Sequence, residues 1–227
     1  IGSQIFETEG FSLAAGKLMN KLGAWRDETG FTPKVLNLGG GFGIRYTAED
    51  TPLEPKQYVA DMIKVVKEEA AKLNLDVPQI WIEPGRSLVG DAGTSLYTIG
   101  SHKEVPGVRE YIAVDGGMSD NIRPALYDAK YEAVIANKAN EAADYTYTVA
   151  GKLCESGDKL IVDAALQKAE AGDTLAMFCT GAYGYSMASN YTRVPRPAVV
   201  FVEEGKHQLA VRRESYEDLV QNDLPLT

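Results

Sequence analysis

The stretch Val35-Leu36-Asn37-Leu38-Gly39-Gly40-Gly41-Phe42-Gly43 decides how the first part of this chain folds. A short apolar strand runs directly into consecutive glycines, which is typical of a strand that ends in a tight turn. Downstream, Pro55 suits the first turn of a helix with an apolar stripe, and Ile80-Trp81-Ile82 is a second short apolar strand. A strand, a helix and a strand at this spacing form a βαβ unit, which predicts a parallel sheet or part of a (β/α) barrel.

The residues before this stretch predict a helix that ends near Gly30 and Pro33. Apolar side chains recur on one predicted face at Phe11, Ala14, Ala15, Leu18, Leu22 and Trp25. At most three barrel strands can come from this chain, near residues 1–5, 35–38 and 80–83. Three strands cannot close an eight-stranded barrel, so we expect either that another chain or fragment completes it, or that it is rearranged into a domain-swapped or partial sheet.

From about residue 95 the pattern changes to short runs rich in Val, Ile, Tyr and Thr. Seven such runs lie at 94–99, 110–114, 145–150, 159–163, 174–178, 197–202 and 207–211. They predict antiparallel β-structure, a sandwich or a barrel. Glu204-Gly205 indicates a hairpin turn and Ser215 the start of a short helix. The predicted fold class is therefore α/β plus all-β, with a partial barrel at 1–94 and a β-sandwich domain with short helices at 95–227.

The composition disfavours several classes of partner. The 227 residues carry 23 Lys and Arg against 32 Asp and Glu, a formal net charge of −9, which argues against nucleic acid and anionic membranes. No apolar run is long enough to span a bilayer. Two Cys cannot form a disulfide framework, two His argue against a metal cluster, and the expected setting is a reducing cytoplasm. The chain opens in mid-pattern at Ile1, which we interpret as a piece of a longer protein.

Two motifs in the first half favour an anionic ligand. The glycine run lets backbone N–H groups approach an anion because no Cβ intervenes, although its spacing matches no Walker A or dinucleotide motif and a simple tight turn is the alternative. Glu83-Pro84-Gly85-Arg86 follows the second strand, so in a barrel it would share a face with Gly40. These groups suit a ligand with a basic nitrogen and an anionic group; an ordinary Glu–Arg surface pair is the alternative.

Three motifs in the second half are weaker individually. Arg123-Pro124-Ala125-Leu126-Tyr127 stands alone between two predicted strands. Cys154 lies in a loop beside Glu155, where a thiol is either reactive or inert packing. Tyr183 has a glycine close on each side, which either exposes its hydroxyl or marks a turn around a packed aromatic ring.

Taken in order, six motifs resemble the diaminopimelate decarboxylases over essentially the whole chain. They are Ile1-Gly2-Ser3-Gln4, Asn37-Leu38-Gly39-Gly40-Gly41, Glu83-Pro84-Gly85-Arg86, Arg123-Pro124-Ala125-Leu126-Tyr127, Cys154-Glu155-Ser156 and Gly181-Ala182-Tyr183. The glycine run and Glu-Pro-Gly-Arg are shared with the wider fold-type III, alanine-racemase-like decarboxylases. Cys154-Glu155-Ser156 and the run 186–191 indicate the diaminopimelate branch more narrowly, because related ornithine decarboxylases usually carry Asp in place of Glu155.

The resemblance implies pyridoxal 5′-phosphate bound to a (β/α)8 barrel beside a β-sandwich domain. It also implies a role in lysine biosynthesis. The implied cofactor contacts, with Glu83 on the pyridine nitrogen, are Ser3, Gly40, Gly41, Glu83, Gly85, Arg86 and Tyr183. The implied substrate contacts are Arg86, Arg123, Tyr127, Glu155 and Tyr183, and the implied proton donor is Cys154. In this family the Cys-Glu pair reaches into the partner subunit's site, which implies a homodimer with shared active sites.

One departure from the resemblance is large. The Schiff-base lysine of the family lies upstream of the Gly-Ser-Gln motif, in a segment that this chain lacks. The resemblance therefore implies a lyase that converts meso-2,6-diaminopimelate to L-lysine only with that amino-terminal segment; the chain alone would be inactive and would bind the cofactor without a covalent bond. Two alternatives stay open: a decarboxylase of the same fold for ornithine, arginine or carboxynorspermidine, and a non-catalytic dimerisation fragment.

Overall fold

The computed structural model describes residues 1–226 of the chain, and Thr227, the last residue of the predicted second domain, lies outside them. The chain divides into two compact units, one from Ile1 to Asp91 and the other from Ala92 onward. The first unit contains α1 (Glu9–Thr29), β1 (Val35–Asn37), α2 (Pro55–Leu73), β2 (Gln79–Trp81) and α3 (Arg86–Val89).

Helix α1 ends where the sequence predicts, at Gly30, whose φ of 73° is in the left-handed region that glycine favours. Its buried face is rotated from the predicted one. Leu18 and Trp25 were expected on the buried face, yet both side chains are 40% exposed, whereas Met19 and Gly23 are buried. The rotation has a steric reason: at Gly23 a Cβ would lie 3.2 Å from Leu73 Cδ2, so the missing side chain lets α2 pack closely there.

Helix α2 follows its sequence pattern. Pro55 occupies the first turn, and Glu54 and Gln57 form a capping box at its start. The buried residues recur every four positions and line one face: Tyr58, Met62, Val66 and Ala70. This face forms the core of the unit together with α1 and the strand region.

The strands of the first unit are parallel, as predicted. β1 pairs with β2 in the register Val35↔Gln79 to Asn37↔Trp81. The strand expected at 1–5 is reduced to a single parallel bridge between Ile5 and Phe42. Within residues 1–91 the described parallel sheet therefore has two strands, consistent with the predicted partial sheet.

The second unit is built mainly of β-strands, with one central six-stranded sheet in the order β5-β8-β3-β4-β6-β7. Its elements are β3 (Ser95–Val105), β4 (Arg109–Val114), α4 (Arg123–Tyr127), β5 (Ala133–Ile135), β6 (Tyr145–Ala150), β7 (Lys159–Leu166), β8 (Thr174–Met177), β9 (Val199–Glu203), β10 (Lys206–Val211) and α5 (Tyr216–Val220). Seven of these strands coincide with the seven predicted runs.

The expectation of antiparallel pairing is wrong for one pair. β4 and β6 are parallel, with Tyr111 opposite Thr148 and Ala113 opposite Ala150, whereas the neighbouring strands β3 and β4 are antiparallel. Parallel pairing needs a long crossover, and residues 115–144, which include α4 and β5, provide it between β4 and β6.

The end of the chain confirms two local predictions. β9 and β10 form an antiparallel hairpin in which Glu204 and Gly205 both have positive φ, 49° and 74°, as a type I′ turn requires. Ser215 caps α5, because its side chain accepts a hydrogen bond from the Asp218 N–H. No helix among residues 1–226 is both long enough and apolar enough to cross a membrane.

Three aromatic rings centre the core of the first unit. Phe42 and Tyr58 stack with ring centroids 4.9 Å apart, and Phe11 meets both rings edge-on. The Tyr58 hydroxyl donates to the Ile5 carbonyl at 2.9 Å, which ties the amino-terminal segment to α2. The residue that follows the glycine run is therefore a core residue as well as a turn residue.

We predict that Phe42→Ala lowers the free energy of unfolding by about 3–5 kcal/mol, because the substitution removes a fully buried ring and leaves a cavity. The matched control is Phe31→Ala, since that ring is 57% exposed and its loss should change stability by no more than about 0.5 kcal/mol. Urea unfolding of the two variants measures the difference, and equal losses would contradict the packing described.

Candidate functional site

Three chain segments meet at the ends of the parallel strands in the first unit. The Ile5 N–H donates to the Gly41 carbonyl at 3.0 Å, and the Glu83 N–H donates to the Gly39 carbonyl at 2.7 Å. The Gly-Ser-Gln motif, the glycine run and Glu-Pro-Gly-Arg are thus neighbours, and we call this group of segments the glycine cradle (residues 2–3, 39–41 and 83–86). The sequence argument that the strand ends carrying Gly40 and Glu83 share one face agrees with this contact between Glu83 and Gly39.

Only glycine fits two positions of the glycine cradle. A Cβ on Gly40 would lie 2.1 Å from the Glu83 carbonyl oxygen. A Cβ on Gly41 would lie 2.4 Å from the Gly2 carbonyl oxygen, and Gly41 also has a φ of 106°. The glycine run therefore allows three backbones to approach closely, which is the structural requirement that the motif encodes.

Arg86 lies inside the glycine cradle and is only 8% exposed. Its Nη2 donates to Ser3 Oγ at 2.9 Å, and its Nη1 donates to the Tyr46 hydroxyl. The guanidinium carbon lies 5.4 Å from the centre of the Tyr46 ring, within cation–π range. The structure thus joins the predicted residues Ser3 and Arg86, and it adds Tyr46, which no sequence motif singled out.

Glu83 is held by a residue that the sequence argument missed as a site residue. Asn37 Nδ2 donates to Glu83 Oε1 at 2.6 Å, while Asn37 Oδ1 accepts from the Gly39 N–H at 2.9 Å. One side chain therefore orients the carboxylate and the glycine turn together. The available signal was an asparagine at the end of the apolar strand β1, two residues before the first glycine of the run.

The chemistry of the glycine cradle suits an anion beside a basic nitrogen. The three segments bring together a guanidinium bonded to a hydroxyl, glycine backbone and a carboxylate that Asn37 orients. Gly85 precedes α3 at the exposed end of the same segment. Among residues 1–226 there is no group of three or more His, Cys, Asp or Glu side chains that could hold a metal ion.

Cys154 and Glu155 lie in an exposed loop of the second unit, between β6 and β7. Glu155 Oε1 accepts a hydrogen bond from the Tyr191 hydroxyl. That bond to the carboxylate is the main reason that the pKa of Tyr191 lies above its ordinary value. Tyr191 belongs to the 186–191 run that pointed to the family, but sequence reasoning gave it no role.

Arg123 and Tyr127 are the first and last residues of α4 and differ in exposure. Arg123 begins α4, is 7% exposed and donates through Nη1 to the Tyr131 hydroxyl. Tyr127 lies at the other end of the same short helix and is 61% exposed. The sequence pair therefore contributes one buried cation and one exposed phenol.

Tyr183 has its backbone in the left-handed region, with a φ of 56°. Non-glycine residues rarely adopt this conformation without a compensating constraint. The constraint is next to it, since at Gly184 a Cβ would lie 2.5 Å from the Thr180 carbonyl oxygen. The ring is 44% exposed, so a half-exposed phenol projects from a sharply turned glycine segment.

We predict that Gly40→Ala destabilises the chain by about 1–3 kcal/mol, because the new methyl group would overlap the Glu83 carbonyl and push the strand ends apart. Gly16→Ala is the matched control. Gly16 lies in α1, where a Cβ would make an ordinary 3.8 Å contact with Val65, so that variant should gain about 0.5–1 kcal/mol. Opposite signs in urea unfolding are expected, and a stabilised Gly40→Ala would exclude the close approach.

We also predict that Glu155→Gln lowers the pKa of Tyr191 toward its ordinary value of 10.0. The substitution removes the negative charge that opposes ionisation of the phenol. Nuclear magnetic resonance of 13Cζ-labelled tyrosine against pH measures this change. Tyr97 is the internal reference, because burial and Asp120 raise its pKa well above the ordinary value independently of Glu155. An unchanged Tyr191 titration would show that the Tyr191–Glu155 bond is absent in solution.

Two family models match the chain. The model described as "Pyridoxal-dependent decarboxylase, C-terminal sheet domain" matches residues 46–181, and the model of the "pyridoxal binding domain" of such decarboxylases matches residues 1–90. The matched residues include the glycine cradle as well as the Cys154–Glu155 loop.

Relatives and solved structures agree with these matches. A diaminopimelate decarboxylase of Bacillus subtilis is 66% identical over 225 residues, which are 99% of this chain and 51% of that protein. One of Staphylococcus aureus is 48% identical over 224 residues, covering 98% of this chain and 52% of that protein. The crystal structure of diaminopimelate decarboxylase from M. jannaschii in co-complex with L-lysine superposes with a TM-score of 0.93 at 36% identity, covering 100% of this chain and 51% of that one.

The chain spans about half the length of the curated relatives it matches. The predicted fold class, the carboxy-terminal part of a barrel followed by a β-domain, and the resemblance to diaminopimelate decarboxylases are both confirmed by these comparisons. Because the sheet-domain model alone accounts for residues 46–181, more than half of the sequence, the chain belongs to the pyridoxal-dependent decarboxylases.

Proposed function

We propose that this chain is the carboxy-terminal half of an enzyme that decarboxylates meso-2,6-diaminopimelate to L-lysine with pyridoxal 5′-phosphate. The observation that carries the proposal is the glycine cradle, in which Asn37 orients the Glu83 carboxylate, Arg86 bonds to Ser3, and Gly40 packs against the Glu83 backbone. The proposed division into a partial barrel at 1–94 and a β-sandwich domain at 95–227 goes with it.

The residues of the first unit fit the cofactor. Backbone at Gly40, Gly41 and Gly85, the Ser3 hydroxyl and the Arg86 guanidinium would hold the phosphate group, as charge-assisted hydrogen bonds to an anion require. Glu83 would keep a proton on the pyridine nitrogen, and Asn37 holds that carboxylate in place. Pyridoxal phosphate, when bound, supplies a sink for the electrons released as carbon dioxide leaves.

The residues of the second unit would act on the substrate. Cys154 would deliver a proton to the carbon that has lost carbon dioxide, a task that needs an accessible thiol. Glu155 would accept a hydrogen bond from the distal ammonium through Oε2, since Tyr191 occupies Oε1. Arg86 and Arg123 would bind carboxylate groups, and Tyr127 and Tyr183 would add phenol hydroxyls at the substrate, with Tyr183 also reaching the phosphate.

The proposed active form is a cytoplasmic homodimer that includes the amino-terminal segment with the family's Schiff-base lysine. The exposed position of Cys154 and Glu155 supports shared active sites, because an exposed loop can enter a partner's site. The chain without the amino-terminal segment would be inactive.

We predict distinct kinetic effects for the two loop residues in the full-length protein. Cys154→Ala should lower kcat by about 10²–10⁴-fold and leave KM nearly unchanged, because it removes only a proton donor. Glu155→Ala should raise KM for diaminopimelate by about 10–100-fold, because it removes a charge-assisted hydrogen bond to the substrate. Neither variant should weaken cofactor binding, measured by the absorbance of the bound pyridoxal group.

Ser156→Ala is the matched control, an exposed neighbour in the same loop that should keep wild-type kinetics. A panel containing ornithine, arginine and carboxynorspermidine tests the substrate. Faster turnover of any of these than of diaminopimelate would replace the proposed substrate, and wild-type kcat in Cys154→Ala would remove the assignment of the proton donor.

A further inference from the structure

The loop that carries Cys154 and Glu155 is closed by a buried carboxylate at its end. Asp158 is 3% exposed, and its Oδ2 accepts from the Leu153 N–H at 2.8 Å, across the base of the loop. The backbone of Asp158 also joins the two ends of the loop, because the Gly151 N–H donates to the Asp158 carbonyl at 2.9 Å. We call residues 151–158 the Cys-Glu loop.

The same carboxylate reaches a second segment. Asp158 Oδ1 accepts from the Met118 N–H at 2.6 Å, and Met118 lies in the turn that follows β4, residues 116–120. A carboxylate removed from water is costly unless hydrogen bonds satisfy it, and here both oxygens are used by backbone N–H groups of different segments. Asp158 therefore joins the Cys-Glu loop to the 116–120 turn.

Two glycines make room for this carboxylate. A Cβ on Gly151 would lie 2.1 Å from Asp158 Oδ2, and a Cβ on Gly117 would lie 2.5 Å from Oδ1. Gly157, in the same loop, has no atom within 4 Å of the place of its Cβ. The two glycines on either side of Asp158 are thus sterically required, whereas the glycine beside it in sequence is not.

The 116–120 turn is also the attachment point for the segment that holds Tyr191. The Ser189 N–H donates to the Ser119 carbonyl at 2.8 Å, and the Lys152 N–H donates to the Gly116 carbonyl at 3.0 Å. The turn itself is braced by Asp120, whose Oδ1 accepts from the Gly117 N–H at 2.7 Å. The segment that carries Tyr191 and the loop that carries Glu155 are therefore both hydrogen-bonded to the same turn.

We propose that Asp158 is a positioning residue that fixes Cys154 and Glu155 against the 116–120 turn, so that Glu155 meets Tyr191 and the thiol keeps one orientation toward the substrate. This inference rests on the proposed function. Asp158 acts through backbone N–H groups and touches neither substrate nor cofactor.

The test compares Asp158→Asn and Gly151→Ala with the wild-type full-length protein. Asparagine offers one acceptor oxygen, whereas the Leu153 and Met118 N–H groups each use one oxygen of Asp158. In Gly151→Ala, the new methyl group would displace the carboxylate. Both variants should lower kcat/KM for diaminopimelate by about 10–100-fold, through kcat and KM together, with cofactor binding unchanged. Hydrogen exchange at the Leu153 and Met118 amides should accelerate by a similar factor.

Two controls separate positioning from stability. Gly157→Ala should behave as wild type, because its methyl group meets nothing. Asp173→Asn changes another buried carboxylate of the second unit, which accepts from the Glu170 N–H at 2.8 Å and from Lys138 at 2.7 Å. It should lower Tm while leaving kcat, KM and exchange at Leu153 unchanged.

The proposal is overturned if Asp158→Asn lowers Tm but keeps wild-type kcat, KM and Leu153 exchange, or if Gly157→Ala matches Gly151→Ala. Failure of the proposed function looks different: the wild-type protein would not turn over diaminopimelate at all. In that case the exchange measurement on the 227-residue chain still decides whether Asp158 orders the Cys-Glu loop.

Discussion

The close approach of backbones at Gly40 is the contact on which the first unit depends. The carbonyl of Glu83 occupies the place where any other residue would carry a side chain, so the end of β1 and the end of β2 touch directly. Phe42, immediately after the glycines, then enters the aromatic core with Phe11 and Tyr58. The turn that suits an anion is thus anchored by the largest buried rings of the unit.

In the second unit, buried or half-buried carboxylates bound to backbone N–H groups organise the loops. Asp158 and Asp120 hold the 116–120 turn from two sides, and Asp173 does the same for the 170–173 segment. Near Tyr191, the Glu214 carboxylate accepts hydrogen bonds from Arg196 and Asn190. These bonds, chiefly the one from Arg196, lower the pKa of Glu214 to about 2. Because that pKa lies below its unfolded value, the stabilisation is complete at neutral pH and is lost as the pH falls toward 2.

In the proposed reaction, the first unit would hold the cofactor and the second unit would act on the substrate. The groups of the first unit suit a bound cofactor, because they are buried or oriented by neighbours: Arg86 by Tyr46 and Ser3, and Glu83 by Asn37. The groups of the second unit suit an exchanging substrate, because Cys154 and Glu155 are exposed, while a hydrogen bond to Asp158 closes the base of their loop. Rigid support beneath exposed reactive groups is the arrangement that a proton donor and an ammonium ligand require.

Sequence alone determined the βαβ pattern, the helix cap at Gly30, the hairpin at Glu204-Gly205 and the association of the glycine run with Glu83. Each of these depends on local conformation or on strand ends sharing one face. Only the tertiary structure decided which side of α1 is buried and that β4 and β6 run parallel. It also decided that Asn37 binds Glu83, that Tyr191 binds Glu155, and that Asp158 closes the Cys-Glu loop. These outcomes depend on contacts between residues far apart in the chain, and no local propensity or periodicity encodes which distant backbone will lie opposite a given side chain.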